Sequence, residues 1–172
     1  MSDFKRDSFP GGAKCQRTNT APDQPLADKS ASVGSPVLPG KGELILLVDD
    51  DDGWVWICQK ILSGLGYQVI GYTSPVEALS FFRIQPQLFD LVITDLNMPN
   101  LDGMTLCAEL LKLRSDLPVI LMTSGDGMVT PDEIGQTDFR ELLLKPTLAT
   151  TLGRAVQDVL GTLREDIAQE NQ

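Results

Sequence analysis

Beyond residue 43 the chain alternates between two hydrophobic periods. Short apolar runs at 44–48, 68–72, 90–94, 118–123 and 141–144 have the length and β-branched content of buried strands. Between and after them lie segments with apolar positions three or four residues apart, at about 54–65, 75–85, 102–114 and 148–163, with a weaker one near 131–136. Strand followed by helix, repeated five times, is the order of a parallel sheet covered by helices on both faces, an α/β fold. The punctuation agrees: Ser74-Pro75-Val76-Glu77 is a capping box with Pro at the first helical position, and Gly66 follows the first helix where a C-terminal glycine belongs. Leu148, Leu152, Ala155, Val156, Val159 and Leu163 share one face of the last helix, which is expected to pack on the sheet. The segment 131–136 mixes Pro and Gly with few apolar anchors, so a short, mobile helix is expected there.

Residues 1–42 carry five prolines and many Gly, Ser and Thr, and read as a disordered N-terminal extension. Residues 43–164 are expected to form one domain, and 165–172 a disordered C-terminal tail. The net charge of −10 is uneven: 17 acidic against 8 basic residues over 43–164 (−9), but 4 against 6 over 1–42 (+2). An acidic domain argues against nucleic acid as a direct partner, since that affinity rests on Lys and Arg neutralising phosphates. Cys15, Cys58 and Cys107 are odd in number and form no C-x-x-C pair, which suits a reducing cytoplasm; Cys58 and Cys107 fall on apolar helix faces and read as core. No apolar run approaches the length of a membrane span. The absence of His excludes Ser/His and Cys/His nucleophile pairs and most zinc sites.

Three of the predicted strands end in charge: Val48-Asp49-Asp50, Thr94-Asp95 and Leu144-Lys145-Pro146. In a parallel sheet those ends meet at one edge, the usual place for a site. Three carboxylates and an ammonium would share a pocket, and carboxylates that close do not all stay ionised without a cation. The arrangement predicts a divalent metal of the hard, oxygen-seeking kind, Mg²⁺ or Mn²⁺, with Asp95 and Lys145 left to handle a phosphoryl group.

These residues also carry a resemblance. Leu-Leu-Val-Asp49-Asp50-Asp, Phe-Asp-Leu-Val-Ile-Thr-Asp95-Leu-Asn97-Met-Pro99 with Asp102-Gly103, Pro-Val-Ile-Leu-Met-Thr123-Ser124 and Lys145-Pro146 occur in order, each at a predicted strand end. Together they make the chain from Glu43 to about Arg164 resemble the receiver domain of bacterial two-component response regulators, and in wording the receivers of hybrid sensor kinases. The resemblance implies a flavodoxin-like, doubly wound five-stranded sheet. It implies Asp95 as phosphoacceptor, Mg²⁺ on Asp49, Asp50, Asp95 and the Asn97 backbone carbonyl, and a phosphoryl group met by Thr123 and Lys145, with Ser124 leaving space. It implies a cis Lys145-Pro146 bond and a His-to-Asp phosphorelay. The partners would be a histidine kinase or histidine phosphotransfer protein, and a downstream protein target switched by phosphorylation. The protein would then be a single-domain, cytoplasmic switch that catalyses only its own phosphorylation and dephosphorylation. Leu142 stands where the family often has an aromatic residue, which puts the usual coupling from Thr123 to a ring in question.

Two readings go beyond that pattern. Asp51 and Asp52 are expected to cap the first helix rather than bind metal. By spacing, Trp54, Ile57, Cys58, Ile61, Leu62 and Leu65 form that helix's buried stripe; Val55 and Trp56 then face away and are candidate anchors for the phosphodonor protein. The rival reading is a phosphohydrolase of the haloacid dehalogenase type, built on Asp49-Asp50-Asp51-Asp52-Gly53 with Asp50 as nucleophile and Asp52 as acid/base; it leaves Asp95-Leu-Asn97-Met-Pro99 without a role. Gly64-Leu65-Gly66 closes a helix instead of opening one after a strand, so it is no dinucleotide loop.

Overall fold

Five parallel strands order as β2-β1-β3-β4-β5, with β1 Leu44–Val48, β2 Gln68–Tyr72, β3 Leu91–Asp95, β4 Val119–Thr123 and β5 Glu141–Leu144. Helices α1 Asp52–Gly64, α2 Pro75–Ile84, α3 Gly103–Leu113 and α4 Ala149–Glu170 complete the computed structural model, which describes residues 39–125 and 139–170, with side chains to residue 162. The expected helix near 131–136 and residues 1–38 lie outside the described residues.

Strands β3 and β4 are buried at all five positions, so both faces must be apolar, and their continuous apolar runs follow from that. The sheet separates two cores. Ile45, Leu47, Leu91, Ile93, Ile120, Met122 and Leu143 face α1 and α4. Leu46, Val48, Val92, Val119 and Leu121 face α2 and α3, where Phe82 and Phe89 stack. Asp51 caps α1, Ser74 caps α2 and Asp102 caps α3, each accepting a hydrogen bond from the backbone N–H three residues on. Gly66 turns the chain out of α1 at φ +91°.

Four expectations need correction. Val55 is buried (7% exposed) and Ile57 is not (41%). The stripe of α1 is centred on Val55, Cys58 and Leu62, because Val55 fills the gap that Gly71 of β2 leaves: a Cβ on Gly71 would meet Val55 Cγ1 at 2.6 Å. Leu148 precedes the first helical residue and is 72% exposed, while Leu160 takes a place in the core. Helix α4 continues to Glu170, so residues 165–170 are helical where a disordered tail was expected. Finally, the folded part begins before residue 43. Gly40 donates its N–H to Leu65 O and lies so near the Tyr67 ring that a side chain there would meet it at 2.5 Å.

Candidate functional site

Strand register assembles the site. Asp49 and Asp95 follow the last paired residues of adjacent strands, Val48 opposite Thr94, and both continue the odd-numbered row of side chains that faces α1 and α4. Lys145 extends the same row beyond Leu143 of β5. Thr123 belongs to the alternate row of β4 and reaches the same edge one residue past Met122, the partner of Asp95. Alternation along parallel strands thus puts two acids and the lysine on one side and the hydroxyl beside them.

The Asp49, Asp50 and Asp95 carboxylates each bring one oxygen within 4.8 Å of the others, and Asp49 and Asp95 are buried. Lys145 Nζ pairs with Asp49 Oδ2 and lies 2.6 Å from Asp95 Oδ1. One ammonium set against a group of three carboxylates leaves a formal excess of two negative charges. Asp49 Oδ1 accepts from Asp51 N at 3.1 Å, and Asp95 Oδ2 from Asn97 N at 2.9 Å. Asp95 Oδ1 is buried, and among the described residues no donor other than the shared Lys145 ammonium reaches it. Thr123 Oγ1 accepts from Gly125 N at 3.2 Å, while Ser124 is exposed. Lys145-Pro146 is cis, as the resemblance implies.

Burial raises the Asp49 pKa, and the hydrogen bonds from Lys145 and the Asp51 N–H, with the Lys145 charge, only partly offset it. For Lys145 burial acts downward, but the hydrogen bonds and charges of Asp49 and Asp95 outweigh it and the ammonium's pKa is raised. An acid destabilised as an anion beside a firmly charged lysine is the balance of a pocket short of positive charge. The donor set is all hard oxygen, and its three carboxylates have one ammonium between them, so these residues fit a magnesium-class cation.

Several expectations meet here and others do not. Asp49, Asp50, Asp95, Thr123 and Lys145 share the edge, and Asn97 joins through its N–H. Asp51 is the N-cap of α1 and Asp52 its first, exposed residue, outside the three-carboxylate cluster. The hydrolase alternative thereby loses its acid/base. Sequence reasoning paired Lys145 with Asp95 alone and missed its bond to Asp49. It also missed Trp54, whose ring lies 5.7 Å, centroid to Nζ, from Lys145. No local pattern signals a contact across 91 positions; only the shared row facing α1 does.

An open parallel sheet of order 2-1-3-4-5, with an acidic trio and a lysine at the carboxyl ends of β1, β3 and β5, defines the phosphorylation-switch class of α/β protein. The chain belongs to the response regulator receiver domain family, which it matches over residues 45–157. It is 35% identical over 116 residues to the transcriptional regulatory protein ZraR of Escherichia coli K12, covering 65% of this chain and 26% of that protein. It is also 35% identical over 143 residues to the probable transcriptional regulator ycf27 of Cyanophora paradoxa, covering 72% and 59%. The chain thus spans about a quarter of the first relative and less than two thirds of the second. Among solved structures, a receiver domain protein of Clostridium thermocellum superposes with TM-score 0.66 at 28% identity, covering 71% of this chain and 97% of that one. The receiver domain of the Pseudomonas aeruginosa sensor histidine kinase PA1611, solved with a magnesium ion coordinated in its active-site cleft, gives 0.63 at 25%, covering 70% and 98%. Among the described residues no helix is long and apolar enough to cross a membrane.

Proposed function

We propose that Asp95 accepts a phosphoryl group from a phospho-histidine on a partner chain, in a Mg²⁺-dependent His-to-Asp relay of the cytoplasm. The observation that carries this reading is the convergence of Asp49, Asp50, Asp95 and Lys145 at one sheet edge, where a single ammonium is shared between two buried carboxylates. Asp95 Oδ1 attacks phosphorus in line as the bond from phosphorus to the donor imidazole nitrogen breaks; that nitrogen keeps the bonding pair and takes up a proton. Asp49, Asp50, Asp95 and the Asn97 carbonyl would hold the Mg²⁺, whose chemistry is to offset charge on the transferring oxygens. Lys145, already fixed at Asp95, follows the charge onto the phosphoryl oxygens, and the Thr123 hydroxyl donates to one of them. The chain supplies no His, so the imidazole belongs to a histidine kinase or histidine phosphotransfer protein.

The docking surface for that partner is the outer face of α1. Val55 is withdrawn from it by burial, and Trp56, 61% exposed and joined to Lys60 by a cation–π contact of 5.8 Å, takes the role with Ile57. Phosphorylation shifts the loops carrying Thr123, Ser124 and Lys145, and so the affinity for a downstream protein. The test is Mg²⁺-dependent incorporation of phosphate, or of a beryllium fluoride mimic, into the wild type and Asp95→Asn. Incorporation lost only in the variant is the expected result, and label found on Asp50 would refute the assignment.

A further inference from the structure

Trp54 belongs to the apolar stripe of α1 and packs against the core beneath it, yet its ring has two features a core residue does not need. Lys145 Nζ lies over its face, 5.7 Å from the centroid, while the same ammonium holds Asp49 and Asp95. Its Nε1 is buried and has no hydrogen-bond partner among the described residues. Buried indole N–H groups ordinarily find an acceptor, because an unpaired one loses its hydration without return. The ring is therefore placed for its face. That face carries the negative side of the aromatic quadrupole and attracts a cation, the more so where water is excluded. The Lys145 side chain is only 14% exposed.

We propose that Trp54 is a positioning residue for phosphoryl acceptance, its indole face forming an uncharged wall that keeps the Lys145 ammonium at Asp95 while charge moves onto the phosphoryl group. The proposal rests on Asp95 being the acceptor. Lysine is a point charge on a flexible four-carbon stem, and carboxylates alone hold it wherever negative charge is greatest. During transfer that charge relocates, so the hold of Asp49 and Asp95 changes. The attraction of the ring does not, and it limits how far the ammonium swings.

The test uses a Trp56→Phe background, which leaves Trp54 as the only indole of the two in the chain. In that background Trp54→Phe keeps an aromatic face without the N–H, and Trp54→Leu keeps an apolar side chain without the face. Phosphorylation of Asp95 by acetyl phosphate at saturating Mg²⁺ is expected to stay within about threefold of the background in the Phe variant and to fall about tenfold in the Leu variant, the scale of a desolvated cation–π contact. Trp54→Met supplies the same arm where Leu impairs folding by far-UV circular dichroism. In the background protein, Trp54 emission is expected to change as beryllium fluoride with Mg²⁺ shifts the ammonium from the carboxylates toward the bound anion while it stays over the ring. Unchanged rates in both Leu and Met variants, equal losses in the Phe and Leu variants, or an unresponsive emission would each overturn the proposal. The wild type labelled in parallel serves as reference, and a wild-type protein that takes no phosphate on Asp95 would instead overturn the acceptor assignment.

Discussion

Replacing Gly103 with Ala tests how tightly the site is tied to the scaffold. Gly103 opens α3, directly behind the acceptor: a Cβ built there would lie 2.1 Å from the Asp95 carbonyl oxygen and 3.0 Å from both Asp95 C and Leu96 Cα. Ordinary carbon–oxygen contacts are about 3.3 Å or longer, so something must give by about 1 Å. All three obstructing atoms are backbone, and no flexible side-chain tip is available to yield. Gly103 is also held in place, donating its N–H to Leu96 O at 2.9 Å. Overpacking of this kind costs about 1–3 kcal/mol, or about 2–12 °C in melting temperature for a chain of this size. The second effect is larger, because a nucleophile displaced by ~1 Å loses about a hundredfold in rate. Urea melts and acetyl phosphate labelling of the same preparation measure both, with Gly161→Ala as control. Gly161 sits within α4 with nothing near its Cβ position, so alanine there should stabilise by about 0.5–1 kcal/mol and leave labelling unchanged. Wild-type labelling by Gly103→Ala, whatever its stability, would refute the link between α3 and the acceptor.

Trp56→Ala should slow phosphotransfer from a partner protein roughly tenfold or more, as expected of an interface anchor, while labelling by acetyl phosphate is preserved; equal loss in both assays would remove Trp56 from the docking surface. Asp102→Ala removes the cap whose Oδ1 accepts from Thr105 N at 2.8 Å, and should lower stability by about 1 kcal/mol in urea melts. Burial, helped by the charge of Asp49, pushes the Cys58 thiol up to about 11 from 9.0. The unfolded chain then releases this proton first, so the stabilisation is complete below pH 9.0 and lost as pH rises toward about 11, by about 3 kcal/mol at ~1.4 kcal/mol per unit. Urea midpoints at pH 8 and 10.5 should show a shallower decline in Cys58→Ala than in the wild type. Asp50→Asn lowers the negative excess of the site, so the variant should be more stable than the wild type in EDTA and gain less on addition of Mg²⁺.

The strand ends were legible because each is an apolar run stopped by a charged residue, and a parallel sheet permits only one edge for all of them. The four strand-end residues Asp49, Asp95, Thr123 and Lys145 accordingly lie where their positions predict. The rotation of α1 was not legible. Val55 and Ile57 are both β-branched and both flanked by Trp, and periodicity alone supports either as core. Gly71 on β2 decides between them by leaving room for Val55, and that is a tertiary fact. Likewise Leu148 continues an apolar spacing but precedes the first turn of α4, so it faces solvent despite fitting the stripe. Helix α4 runs past the expected end near residue 163 because no Gly or Pro stop follows it before Glu170.

A single lysine serving two acids makes the pocket a shared account. Whatever draws the Lys145 ammonium away from Asp49 leaves that acid richer in charge and hungrier for a cation, and a cation settled there frees the ammonium for an incoming anion. Metal and phosphate should therefore help each other bind, and linkage requires that the help be equal in both directions.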